Sequence, residues 1–255
     1  MKCAYGSNVG SLRKVNQDAY LAATIKNVDR ISYVFAVADG LGGHRSGEIA
    51  SKTAVDFIKN NLSGIRNYFD PEEMMSFVKS INLELKKIGD DEPARLGMAT
   101  TLTMCIVDGN YLCICHVGDS RTYCITSDEI VRLTKDHSLV QILVDEGKIT
   151  QEEAEIHPQK NVITRALGTD NSVNVDFYRY EINPDAVYLI CSDGLFNMVC
   201  DQDMKTIIME NSLEDAAKKL IDLANINGGK DNITVVLFKP LEGVPDAQYN
   251  IGKTL

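Results

Sequence analysis

The chain has 255 residues, of which 44% are hydrophobic, and a formal net charge of -10. That length holds one large domain or two small ones with a full core. The acidic balance would repel both nucleic-acid phosphates and an anionic membrane face, because each is read through Lys and Arg.

No run reaches the roughly 18 apolar residues of a membrane-spanning helix, and Met1 to Gly10 has no signal-peptide core. The seven cysteines are odd in number, and Cys105, Cys113, Cys115 and Cys191 sit in apolar runs without metal-ligand spacing, as buried reduced thiols do. A cytoplasmic protein is expected. Ile31 to Ala38 is a β-branched and aromatic run that predicts a strand buried on both faces, broken by a turn at Asp39-Gly40. Apolar residues at helical spacing from Ser46 to Leu62 predict an amphipathic helix. A second helix starts with Asp70 as N-cap, Pro71 at the first position and Glu73 three residues after the cap, and runs to about Ile88. The two are expected to pair.

From Thr101 the period becomes that of strands: Thr101 to Val107, a turn at Asp108-Gly109-Asn110, Tyr111 to Val117, Thr122 to Ile125 and Ile130 to Leu133. Tight turns between them make neighbours antiparallel. Helical patterns follow at Ser138 to Glu146 and Gln151 to Ile156, then strands at Val173 to Glu181 and Val187 to Cys191. Ser212 is an N-cap for Leu213 to Ala224 in a second group of helices, and a last strand runs from Ile233 to Phe238. Residues 241–255 show no periodicity and form a loose tail beyond a single domain at 1–240. The expected fold is α+β, an antiparallel β-sandwich flanked by helices on both outer faces in α-β-β-α layers.

Aspartate recurs with Gly or Asn at the ends of apolar runs: Asn16-Gln17-Asp18, Ala38-Asp39-Gly40, Ser192-Asp193-Gly194 and Lys230-Asp231-Asn232, with Gly118-Asp119-Ser120-Arg121 as a fifth case. Each alone reads as a turn. Together they place costly carboxylates against the core, and such oxygen-rich clusters suit hard divalent cations.

Arg13 to Asp18, Ala38-Asp39-Gly40-Leu41-Gly42-Gly43-His44, Gly118 to Arg121, Ser192-Asp193-Gly194-Leu195 and Lys230 to Thr234 together resemble the metal-dependent protein phosphatase family of the phosphatase 2C type, in particular its compact bacterial members. The resemblance covers nearly the whole chain up to Lys239. It implies hydrolysis of phosphoserine and phosphothreonine in proteins by direct attack of a metal-bridging water, with two Mn2+ or Mg2+ ions. Asp39 would bridge the ions, with the Gly40 carbonyl and Asp18 on one side and Asp193 and Asp231 on the other. Asp119, with Asp193, resembles the ligands of a third, weaker site. Four aspartates against two divalent cations cancel in charge, and the planar guanidinium of Arg13 is placed to grip two phosphate oxygens.

The chain departs from many relatives at Leu41, where a histidine is thought to protonate the leaving alkoxide, and at Gln17, where Glu is common. His44, three residues beyond Leu41, is a candidate acid; His116, inside a strand, is read as packing. The segment Gly147 to Asp170 corresponds to the family's flap beside the active site. Expected partners are phosphorylated proteins and a cognate bacterial Ser/Thr kinase, with no nucleic acid, no membrane and a monomeric state. The alternatives are a catalytically silent phosphoprotein-binding or sensor domain and a small-phosphoester hydrolase of the same fold.

Overall fold

Two strands with weak local signals open the chain, β1 (Lys2–Asn8) and β2 (Asp18–Lys26), followed by β3 (Ile31–Leu41). The computed structural model describes residues 1–26, 30–42, 46–91 and 97–240, so the tail at 241–255 lies outside the described residues. Helices α1 (Ser46–Asn61) and α2 (Pro71–Asp91) come next, then β4 (Ala99–Thr100), β5 (Leu102–Asp108), β6 (Tyr111–Val117), β7 (Arg121–Ile125) and β8 (Ile130–Arg132). The remainder comprises α3 (Leu139–Asp145), α4 (Gln151–Ile156), β9 (Asp176–Glu181), β10 (Val187–Cys191), α5 (Asp193–Phe196), α6 (Asp201–Glu210), α7 (Leu213–Ile226) and β11 (Ile233–Lys239).

Alternation along β3 builds the layers. Val34, Ala36 and Ala38 face α1 and α2, where they meet Ala54, Ile58, Phe77 and Ile81. Phe35 and Val37 face the other way, into a slab between two sheets where Phe35 stacks on Phe238 at 4.2 Å between ring centroids. One sheet has the strand order β2-β3-β5-β6-β9, with β4 pairing β3; the other has β1-β11-β10-β7-β8. All pairings are antiparallel. Helices α5, α6 and α7 cover the outer face of the second sheet through Leu195, Met204, Ile208 and Leu220. The four expected layers are present, and α1 and α2 do pair, with Phe57 and Phe77 rings 5.7 Å apart. No helix among the described residues is long and apolar enough to cross a membrane.

The Asp70 cap is also present: its Oδ1 accepts from Glu72 N at 2.9 Å. Glu73 does not complete a reciprocal box; it turns back to the amides of Arg66 and Asn67. Three expectations need correction. The strand through Asp39-Gly40 does not turn there, because Gly40 and Leu41 pair onward with Thr100 and Ala99 of β4. Gly40 serves close approach instead: a Cβ at that position would run into the carbonyl of Gly47 in α1. Ser192-Asp193-Gly194 is likewise no simple turn, since Asp193 begins the one-turn helix α5. The strand expected from Val173 begins only at Asp176.

The slab between the sheets changes character along its length. At one end it is aromatic and aliphatic; at the other it carries the buried hydroxyls of Thr101, Thr103, Ser120, Thr122, Ser192 and Thr234. Buried hydroxyls require partners, and the aspartates gather at this polar end.

Candidate active site

The β2–β3 register sets Asp18 directly opposite Asp39, so two carboxylates project from the same face of one sheet. Like charges placed so are mutually unfavourable. Asp193 enters from the end of β10 and Asp231 from the approach to β11, on the facing sheet. Asp119 lies in the link between β6 and β7. The Asp39 carboxyl is held well above the ordinary range, first by burial and then by repulsion from Asp18, Asp193, Asp119 and Asp231. All five predicted aspartates therefore share one electrostatic environment. Burial pushes Asp18 up to about 6, against the Ser192 and Thr234 hydroxyls that favour its anion. Burial, with repulsion from Asp136, pushes Asp119 up to about 7, and burial with Asp119 and Asp231 raises Asp193 strongly.

Donors hold one side of these groups. Ser192 Oγ donates to Asp18 Oδ2 at 2.7 Å, and Asn197 Nδ2 donates to Asp193 Oδ2 at 3.2 Å. Asn232 N donates to Asp231 Oδ1 at 2.8 Å. The main chain of Asp39 is fastened by Thr101, whose Oγ1 accepts from Asp39 N at 3.0 Å and whose N donates to Asp39 O at 2.9 Å. The remaining oxygens of Asp18 and Asp193, the Oδ1 atoms, are fully buried and have no hydrogen-bond partner. An unpaired buried carboxylate oxygen is costly. A hard divalent cation is the partner that this donor set fits. Among the described residues, no three His, Cys, Asp or Glu side chains are already drawn tight about a point an ion could take. The fit therefore rests on the two orphaned oxygens and the shared field.

Arg13 is at the site, but committed: its Nη2 donates to Asp231 Oδ2 at 2.7 Å, with the Arg13 side chain 53% exposed. A pair so exposed is weak and exchangeable. Gly40 sits between Asp39 and α1 and donates its N–H to Gln17 O at 3.1 Å. The candidate acid His44 lies outside the described residues. His116 is away from this chemistry, buried between Thr103 Oγ1 at 2.9 Å and Lys135 O at 3.0 Å, and burial lowers it to about 4.

Sequence reading missed two side chains. Arg121 was quoted only as part of a motif. It donates from Nε and Nη2 to Asp136, the latter at 2.7 Å, and lies 3.6 Å from the Phe196 ring centroid, tying the Asp119 link to α5. Asn232, beside Asp231, clamps the loop that carries Arg13. For both, the signal is a polar residue within two positions of a candidate ligand, which does not reveal what it bonds.

The segment 147–170 stands beside the site. Its helix α4 is closed by a Thr150–Glu153 capping box, and Leu167 pairs with Thr100, next to the Asp39 fastening. Gln151 and Lys160 from this segment, with Asp119, Phe196 and Asn197, line a cavity of about 760 Å³. Of the five aspartates, Asp119 lines this cavity.

A carboxylate cluster with orphaned buried oxygens at the polar end of an antiparallel sandwich, with a guanidinium at its rim, fits a centre that holds hard divalent cations. Comparison with known proteins narrows the class. Residues 11–229 match the family Protein phosphatase 2C. The chain is 36% identical over 244 residues to the serine/threonine phosphatase stp of Listeria innocua, covering 94% of this chain and 96% of that protein. It superposes on the crystal structure of the serine/threonine phosphatase Stp1 from Staphylococcus aureus with a TM-score of 0.85, at 34% identity and 95% coverage of each chain. It is also similar, at 34% identity, TM-score 0.81 and coverage of 92% and 96%, to the catalytic domain of the serine threonine protein phosphatase PstP, solved in complex with two manganese ions. The chain belongs to the protein phosphatase 2C family, and it is a metal-dependent serine/threonine phosphatase.

Proposed function

We propose that Asp18, Asp39, Asp193, Asp231 and the Gly40 carbonyl hold two Mn2+ or Mg2+ ions, that Asp119 with Asp193 serves a third, weaker site, and that Arg13 binds the phosphoryl oxygens of the substrate. The observation that carries this reading is the pair of buried, unpartnered oxygens on Asp18 and Asp193 inside a field of five carboxylates. The two manganese ions in the PstP structure support the metal count. Substrates are proteins phosphorylated on serine or threonine by a cognate bacterial kinase, in the cytoplasm, and the working unit is a monomer with its catalytic domain at 1–240.

Such cations supply Lewis acidity and an activated water for in-line displacement at phosphorus. The chain's own residues do the rest. Ser192 and Asn197 each hold one oxygen of Asp18 and Asp193, which fixes the direction of the other oxygen. Arg13, whose exposed pair with Asp231 is weak enough to exchange, would place two parallel N–H donors on the phosphoryl group. Asp119 and the cavity beside it receive the polypeptide around the phosphorylated residue.

A thiol mechanism finds no support in the cysteines. Burial raises Cys105 and Cys113 to about 12 and Cys115 and Cys191 further, the reverse of what a nucleophilic thiolate needs. Cys191 also faces the α5–α7 layer rather than the carboxylates. Cys191→Ala, which leaves no stranded hydroxyl, is expected to keep turnover within roughly three-fold of the parent in folded protein. Loss of activity in that variant, with the fold intact by circular dichroism, would overturn the water mechanism.

The direct test is hydrolysis of a phosphothreonine peptide with Mn2+ added and then chelated, beside a small phosphoester such as an aryl phosphate. Peptide turnover that stops on chelation is the expected result. Binding of the peptide without turnover at any Mn2+ concentration would favour a silent sensor, against which the complete aspartate set argues. Turnover of the small ester alone would favour the small-phosphoester hydrolase.

A further inference from the structure

We propose that Asn232 is a positioning residue for phosphate binding, acting as a clasp that holds the Arg13 loop over the site. The proposal rests on the reading of Arg13 as the phosphate ligand. Asn232 is buried, and its side chain is fully used: Nδ2 donates to Val9 O at 2.9 Å and to Val15 O at 3.1 Å, while Oδ1 accepts from Gln17 N at 2.8 Å. These three bonds fall at the two ends of the loop joining β1 to β2, with Arg13 between them.

Hydrogen bonds, rather than apolar packing, hold the loop. Leu12 is 70% exposed and Val15 is 37% exposed, so the loop's apolar side chains do not anchor it. Further ties include the bonds from Ser11 N and Leu12 N to Gly229 O, at 2.7 and 3.2 Å, the Arg13–Asp231 pair, the bond from Asn16 Nδ2 to Ser7 Oγ at 2.8 Å and that from Gly40 N to Gln17 O at 3.1 Å. Gly229 lies two residues before Asp231, so its bonds reach the same segment as the clasp. Asn232 joins both ends of the loop to the segment that carries Asp231, whereas the Gly229 bonds hold only its first half.

The side-chain inventory explains the residue type. An amide offers two donors and an acceptor at one short reach, whereas aspartate has no donor and glutamine carries its amide one carbon further out. The arrangement divides labour between neighbours: Asp231 faces the cations, and Asn232 sets where the guanidinium stands relative to them.

The experiment is a double-mutant cycle of Arg13→Ala and Asn232→Asp with a phosphothreonine peptide and saturating Mn2+. Asn232→Asp keeps the acceptor for Gln17 N and removes both donors, so it loosens the Arg13 loop while sparing the Asp18 side. Each single variant is expected to raise KM roughly ten-fold with kcat within roughly three-fold, and the double variant to be no worse than Arg13→Ala alone. Multiplicative effects would overturn the proposal, since charge repulsion from the new aspartate would persist without Arg13. So would an unchanged KM in Asn232→Asp alongside a raised KM in Arg13→Ala. An unchanged KM in Arg13→Ala would instead overturn the phosphate reading beneath it. Hydrogen exchange on metal-free Asn232→Ala supplies the second measurement. Faster exchange confined to residues 9–17, with the α1 and α2 amides unchanged, supports the clasp; unaltered exchange in that loop overturns it.

Discussion

Asp39→Asn is expected to lower turnover of a phosphothreonine peptide by roughly a thousand-fold, because it removes a charge aimed at the reacting centre, and at the same time to make the metal-free protein harder to unfold. Asp39 stands directly across the strand pair from Asp18 and feels every other aspartate of the cluster. An amide of the same shape ends that repulsion and brings a donor among acceptors. The gain is about 1–3 kcal/mol, the scale on which an unsatisfied buried polar group destabilises a fold. For a chain of this size that is roughly 2–4 °C in Tm per kcal/mol. Thermal denaturation in chelator and a turnover assay in Mn2+ check the two halves separately. A variant that loses activity but also loses stability without metal would mean that Asp39 supports the fold, and the site reading would need another carboxylate at its centre.

The second large effect is on pH. Asp18, Asp119, Asp39 and Asp193 all have folded pKa values raised above the ordinary 3.8, with Asp18 at about 6 and Asp119 at about 7. Over the interval between ordinary and raised values, the folded chain binds more protons than the unfolded chain. The contribution of these groups to stability therefore falls as pH rises. The buried histidines oppose this below their ordinary 6.5, since His116 is lowered to about 4 and His137 is lowered too. Above 6.5 they are neutral in both states and drop out. The α-amino group of Met1, lowered by burial, works weakly against the trend. Asp145 and Asp176, whose values are lowered, act only in more acidic solution. Metal-free protein is thus expected to lose Tm as pH rises from about 6.5 through the folded value of Asp119, about 7. Over the same interval the stabilisation by added Mn2+ should grow, because a cation competes with protons for these oxygens and its affinity rises by up to roughly ten-fold per pH unit for each proton displaced. A Mn2+-induced shift that is constant across this interval would show that the ion binds elsewhere.

Much of the layer structure was legible because burial leaves a periodic trace. The run from Ile31 to Ala38 is apolar at nearly every step, Ser32 apart, and it is the strand sandwiched between helices and the opposing sheet. Asp70 and Ser212 declare helix starts through their side-chain chemistry, and each caps a helix in the structure. By contrast, β1 and β2 carry little local signal: KCAYGSN and DAYLAATIK mix small, polar and apolar residues. They are edge strands, covered on fewer sides, and they exist because β11 and β3 offer them ladders from elsewhere in the chain.

The aspartates divide in the same way. The sequence pattern grouped Asp18, Asp39, Asp119, Asp193 and Asp231 as aspartates beside Gly, Asn or Ser near apolar runs, and the resemblance to the phosphatase 2C type gave them their expected ligand roles. Only the tertiary structure decided that Asp18 faces Asp39, because strand register is a property of two segments and not of either. It also decided that the glycine after Asp39 serves helix packing rather than a turn, and that Arg13 rests on Asp231. The role of Asn232 was invisible for the same physical reason: its three partners, Val9, Val15 and Gln17, lie more than two hundred residues away in the chain and are all main-chain groups, which no residue letter records.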